Sequence, residues 1–289
     1  MSLLRDRMSR DMERAGLADR TRSKYILAIT QMVQFLGRRP DLLGPEDLRA
    51  WDDELHRRGL SVGSLGCHGA AMRFLYRRTL GRPELVAFLS FSRPRRPLPV
   101  ILSLDEVFRI LAAFRNPGIR TFFTLLIDTG LRLSEATALR AGDIDRACGV
   151  IHVRHGKGNK ERQVKLGDRL YELLRTYWQQ VRMMGLRPEP LSRDSFLFSS
   201  QIGTRICSTT LREALSLATK DAGIAKHVTP HTMRHSYATH QLNAGTELRV
   251  VQAQLGHASI VTTQLYTQVS TRMIREAPCP LDSLPRPRP

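Results

Sequence analysis

Four short segments carry residue types able to act together on a phosphate ester. They are Thr129-Gly-Leu-Arg-Leu-Ser-Glu135, Gly156-Lys-Gly-Asn-Lys-Glu-Arg162, His231-Thr-Met-Arg-His235 with Leu255-Gly-His257 after it, and the single residue Tyr266. His231, Arg234 and His235 stand at i, i+3 and i+4, so a helix would place them on one face. Thr229 suits an N-cap and Pro230 a first helical turn, which would set His231 beside backbone N–H groups able to receive an anion. Two histidines four apart also suit zinc. Against that, Arg234 puts a fixed positive charge on the same face, and no Asp or Glu lies near enough to complete a site. The expectation is therefore no metal and no cofactor.

Arg132 offers a planar, permanently charged guanidinium suited to bidentate phosphate binding, and Glu135, three residues on, could orient it. Lys157 is the more informative cation. The chain has 39 arginines but only six lysines, and Lys157, Lys160 and Lys165 fall in or just after one turn. Lysine can surrender a proton where arginine effectively cannot, so Lys157 would serve as a proton donor. A basic turn resting in a nucleic-acid groove is the plainer alternative, and the two are compatible. Tyr266, a phenol with a pKa of about 10, would need surrounding cations before it could attack phosphorus. Taken singly, each of these residues is ordinary.

The charge balance supplies the partner. The 289 residues carry a net charge of +18. Residues 1–99 hold 19 basic and 11 acidic side chains, and residues 100–289 hold 26 and 16, so both halves are basic. A basic tail would concentrate the charge, whereas two basic halves suit a long polyanion touched by both. The four cysteines are scattered without a CxxC pair and read as reduced thiols. No apolar run reaches the roughly 18 residues of a membrane span. Met1 to Arg14 lacks the apolar stretch of a secretory signal, so a cytoplasmic, nucleoid-associated location is expected.

The elements that must position these residues follow from periodicity. Thr21 to Gly37 sets Tyr25, Ile26, Ile29, Met32, Val33 and Leu36 on one apolar stripe, with Gly37 as a stop. Pro45 to Arg58 and Ser61 to Leu80 repeat the pattern, which makes residues 1–90 a small helical domain. Residues 91–100 hold three prolines and three arginines, a stiff linker whose Arg93, Arg95 and Arg96 could follow phosphates. A second domain is expected over 101–277. It opens on the capping box Ser103 to Glu106, and a second helix runs through Phe122 and Leu126 to Gly130. Gly149 to Val153 and Arg162 to Leu166 read as strands of a hairpin, and helices resume near Leu170. Residues 278–289 form a Pro-rich tail. The fold class is mainly α with a small β-hairpin or sheet.

Taken in order, Arg132, Lys157, His231, Arg234, His257 and Tyr266 resemble the signature of the tyrosine recombinase (phage integrase) family, most closely its Xer-like members. The resemblance implies an N-terminal helical, SAM-like core-binding domain and an α+β catalytic domain, closing as a C-shaped clamp on double-stranded DNA at a specific recombination site. It also implies metal-free cleavage and rejoining, with Tyr266 forming a 3′-phosphotyrosine. Arg132, Arg234, His231 and His257 would surround the phosphate, and Lys157 would protonate the leaving oxygen. Glu135 and His235 would support them from behind, while Arg93, Arg95, Arg96, Lys160 and Arg162 would contact DNA. Four protomers would act on two sites, as copies of this chain or with a related recombinase. A type IB topoisomerase shares the chemistry, and a helix-rich regulator would share the DNA binding without the covalent step.

Overall fold

The computed structural model describes residues 2–89, 99–154, 161–183, 192–200 and 202–256. The chain divides into two compact units, Met1–Arg96 and Pro97–Pro289. Among the described residues no helix is long and apolar enough to cross a membrane. Arg93, Arg95, Arg96, Lys157, Lys160, His257, Tyr266 and the Pro-rich tail lie outside the described residues.

The first unit is built from α1 (Ser2–Arg14), α2 (Asp19–Leu36), α3 (Pro45–Arg57) and α4 (Val62–Phe74), which runs on into a π-helical turn, Leu75–Thr79. Its core joins Met8, Met12, Met32, Trp51, Met72 and Tyr76. α1 was not legible as a separate helix because only a narrow apolar stripe interrupts its charges. Met8 and Met12, one turn apart, are nevertheless buried in the core. α2 ends where Gly37 turns left-handed and donates its N–H to Val33 O. The Tyr76 hydroxyl donates to Pro40 O at 2.9 Å and ties the end of α4 to the 40–42 turn.

The second unit wraps helices around α6 (Pro117–Thr129), which is preceded by α5 (Leu104–Ala113) and followed by the single turn α7 (Leu133–Ala136). A three-stranded antiparallel sheet follows, in the order β1 (Ile144–Asp145), β2 (Val150–Val153), β3 (Arg162–Lys165). Its register pairs Ile151 with Val164 and Val153 with Arg162. β1 was not expected, since two residues give alternation nothing to show. Then come α8 (Asp168–Met183), α9 (Ser208–Asp221), α10 (Pro230–Asn243) and α11 (Leu248–Leu255). Phe122 and Phe123 of α6 are wholly buried among side chains from α5, α8, α9 and the sheet. Ser103 and Glu106 form the expected capping box at the start of α5. Just before it, Leu102 donates its N–H to Ser236 Oγ at 2.9 Å and accepts from His240 Nε2 at 2.9 Å, so α10 grips the chain at the entry to this unit.

Candidate active site

Three turns of backbone bring together Arg132, His231 and Arg234, the candidate catalytic residues that the structure describes. α6 ends at Gly130, whose φ of 63° is left-handed. The chain then doubles back through Leu131, and Arg132 becomes the N-terminal cap of α7. Close packing enforces that turn. A Cβ at Gly130 would lie 2.3 Å from Tyr237 Cδ1 on α10 and 2.9 Å from Leu255 Cδ2 on α11. Gly130→Ala therefore combines backbone strain with overpacking, together about 2–4 kcal/mol. It is expected to lower the midpoint of thermal unfolding by roughly 5–15 °C, read by calorimetry. An unchanged midpoint would mean that Tyr237 gives way freely.

Glu135 is the centre of the cluster. Its side chain is only 2% exposed. It accepts the Arg132 backbone N–H on Oε2 at 2.8 Å and the Arg132 Nη1 on Oε1 at 2.8 Å, so it does orient that guanidinium. Arg162 binds the same carboxylate as a fork, at 3.0 Å and 2.7 Å. Arg234 stands 4.0 Å from it. Burial by itself would raise the Glu135 carboxyl. The hydrogen bonds and charge of Arg162, with those of Arg132, outweigh burial and hold it below the ordinary glutamate value.

Arg162, expected as a DNA contact, is engaged elsewhere. Its side chain is 10% exposed, and Nε donates to Gln254 O at 2.7 Å at the end of α11. The physical reason is strand alternation: Arg162 shares the inward face of β3 with buried Val164. Arg234 is also inward, with a side chain 1% exposed. It donates to Gly130 O at 2.6 Å and to Leu255 O, so it joins the ends of α6 and α11. Arg132 completes the link, with Nη2 reaching Gly256 O at 3.4 Å. Gly256 is left-handed as well, and a Cβ there would meet Arg162 Cδ at 2.9 Å. None of these backbone acceptors is visible in a motif.

Thr229 caps α10 by accepting the Thr232 N–H, with Pro230 in the first turn. His231 is thereby placed at the helix start, and His235 follows one turn on with its ring edge-on to His231 at 4.7 Å. His231 is exposed overall. Desolvation by its surroundings, helped by the fields of Arg234 and Arg132, holds its imidazole below the ordinary histidine value. Burial, then His231 and Arg234, push His235 down to about 4. Both rings are thus neutral near pH 7, able to donate one hydrogen bond each without adding charge.

A depressed histidine favours the folded state fully above its unfolded value, and that stability is lost as pH falls from about 6.5 toward about 4. His235→Gln is expected to flatten this dependence in thermal melts between pH 7 and pH 4.5. Parallel curves for variant and wild type would assign the acid sensitivity to other groups.

Known proteins share this chain's pattern. Residues 101–273 match the phage integrase family, and residues 4–84 match the phage integrase N-terminal SAM-like domain. The putative integrase/recombinase y4qK of Sinorhizobium fredii is 34% identical over 100% of this chain and 92% of its own. Tyrosine recombinase XerD of Oceanobacillus iheyensis is 34% identical over 90% of this chain and 91% of its own. Among solved structures, XerH site-specific recombinase bound to its difH substrate in a pre-cleavage complex has the same fold. That likeness has a TM-score of 0.70 at 22% identity over 88% of this chain and 77% of that one.

Proposed function

The chain belongs to the phage integrase family, and from that premise we propose a role for each residue of the cluster in this Xer-like tyrosine recombinase. The enzyme cleaves and rejoins DNA strands in site-specific recombination. In the proposed mechanism Tyr266 attacks a phosphodiester in line, leaving a 3′-phosphotyrosine and a free 5′-hydroxyl. Arg132 and Arg234 meet the growing negative charge of the pentavalent transition state, usually the largest single contribution to catalysis. His231, as a neutral imidazole, and His257 donate to the same phosphate. Lys157 protonates the leaving oxygen as general acid. The covalent bond stores the energy of the broken one, so rejoining by the 5′-hydroxyl needs no ATP. The arginines supply the charge that a metal ion supplies in other phosphoryl-transfer sites.

One observation carries this reading. Arg132, about a hundred residues before His231 and Arg234, is gathered with them where α6, α10 and α11 converge, beside one buried carboxylate that holds the Arg132 guanidinium. Recombination is favoured over relaxation of supercoils because the relatives matched over nearly all of this chain are recombinases and integrases by name. We further propose that the DNA is a double-stranded recombination site. Four protomers, of this chain or of this chain with a related recombinase, hold two such sites, and the protein works at the nucleoid.

The test is a nicked duplex carrying the target site, from which the cleaved 5′ fragment diffuses away. The full chain is expected to become covalently joined to the 3′ end, at Tyr266 by peptide mapping, and equally so in EDTA. An adduct that needs a divalent metal, or that maps to another residue, would overturn the scheme.

A further inference from the structure

A carboxylate has about four hydrogen-bonding positions. Among the described residues Glu135 has all four in use. Arg132 supplies two donors, its backbone N–H and one guanidinium nitrogen. Arg162 supplies the other two as a fork, at 3.0 Å and 2.7 Å. Three guanidiniums around one carboxylate leave two net positive charges among these residues, and the three are engaged to different degrees. Arg162 turns both terminal nitrogens to Glu135 and its Nε to Gln254 O. Arg132 gives the carboxylate one side-chain nitrogen, and its other side-chain contact among the described residues, to Gly256 O, is long at 3.4 Å. Arg234 lies 4.0 Å away. Arg162 is the cation committed most fully to Glu135.

We propose that Arg162 is the counter-ion of Glu135 and a positioning residue for recombination: it satisfies that carboxylate so that Arg132 and Arg234 keep their net charge for the scissile phosphate. The proposal rests on the reading of those two arginines as phosphate ligands. Among the described residues, its absence would leave Glu135 shared by Arg132 and Arg234, with one net charge where two stand now. In a partly buried site that loss acts most on the step in which the phosphate gains negative charge. A residue that merely clasped β3 to α11 through Gln254 O would have no such dependence on the charge of Glu135.

The test measures single-turnover adduct formation by the full chain on two nicked duplexes. One carries the ordinary scissile phosphodiester. The other carries a methylphosphonate there, which lacks the negative charge. Arg162→Gln is expected to slow attack on the phosphodiester on the order of 100-fold while weakening DNA binding less than about tenfold. Its defect is expected to shrink on the methylphosphonate. The double variant Arg162→Gln/Glu135→Gln restores two net charges and is expected to be at least about tenfold faster than Arg162→Gln. A double variant no faster than the single one, or a defect equal on both substrates, overturns the proposal.

If Arg162→Gln does not fold, Arg162→Lys replaces it. Lysine keeps the charge and loses the fork, so its rate is expected within about tenfold of wild type. A loss as deep as 100-fold there would make geometry rather than charge the cause. Absence of a wild-type adduct on the phosphodiester would instead sink the underlying mechanism, and would be visible before any variant is compared.

Discussion

Tyr266→Phe is expected to bind the recombination site and to form no covalent adduct with it. The substitution removes one oxygen and no charge. Binding should therefore hold within about fivefold, the worth of a single neutral hydrogen bond. It should also keep its steep weakening with salt, because the net charge of +18 is untouched. Cleavage should fall on the order of 10⁴-fold or more, as it does when a nucleophile that works within a catalytic unit is removed. Gel-shift assays on intact duplex would measure the first quantity, and denaturing gels on nicked duplex the second. A covalent band from the Phe protein would transfer the nucleophile to another side chain. Loss of binding and cleavage together would make Tyr266 a packing residue.

The second large effect is expected at Glu135. Glu135→Ala leaves Arg162, 10% exposed, and Arg234, 1% exposed, without the carboxylate that the fold provides for them. Removing one partner of a buried charge cluster costs about 3–5 kcal/mol, far more than such a cluster contributes over apolar residues of the same shape. Urea unfolding should shift accordingly, and the adduct rate should fall with it because Arg132 loses its orienting partner. Glu135→Gln keeps the side chain's shape and part of its hydrogen bonding, so its unfolding midpoint should lie between the two. A midpoint for Glu135→Ala within error of wild type would mean that water enters and solvates the arginines.

Much of this arrangement was legible in the sequence because it depends on local rules. Gly37 and Gly130 stop their helices in the left-handed conformation, Ser103 and Glu106 cap α5, and Thr229 with Pro230 starts α10. Each needs only neighbours a few residues away. The pairing of Arg132 with Glu135 is of the same kind, three residues along one turn. Arg162 is placed by periodicity: the resemblance implies a DNA contact there, yet two residues from Val164 on a four-residue strand it takes the inward face. The remainder had no local signal. The carbonyls of Gly130, Gln254, Leu255 and Gly256 become acceptors only when α6 and α11 meet, and every residue presents a carbonyl.

The grip of α10 on Leu102 has a mechanical consequence. Ser236 and His240 hold both the N–H and the carbonyl of the residue where the chain enters the second unit, and Lys226 donates to Ile101 O beside it. Each such bond is worth about 1 kcal/mol, and pulled along one strand they share the load. Tension applied to the chain on the N-terminal side of Leu102 is therefore borne first by this clamp. One of its two anchors is the helix whose first turns carry His231 and Arg234. In a force-spectroscopy experiment, pulling from the first unit would strain α10 before it strains the rest of the second unit's core.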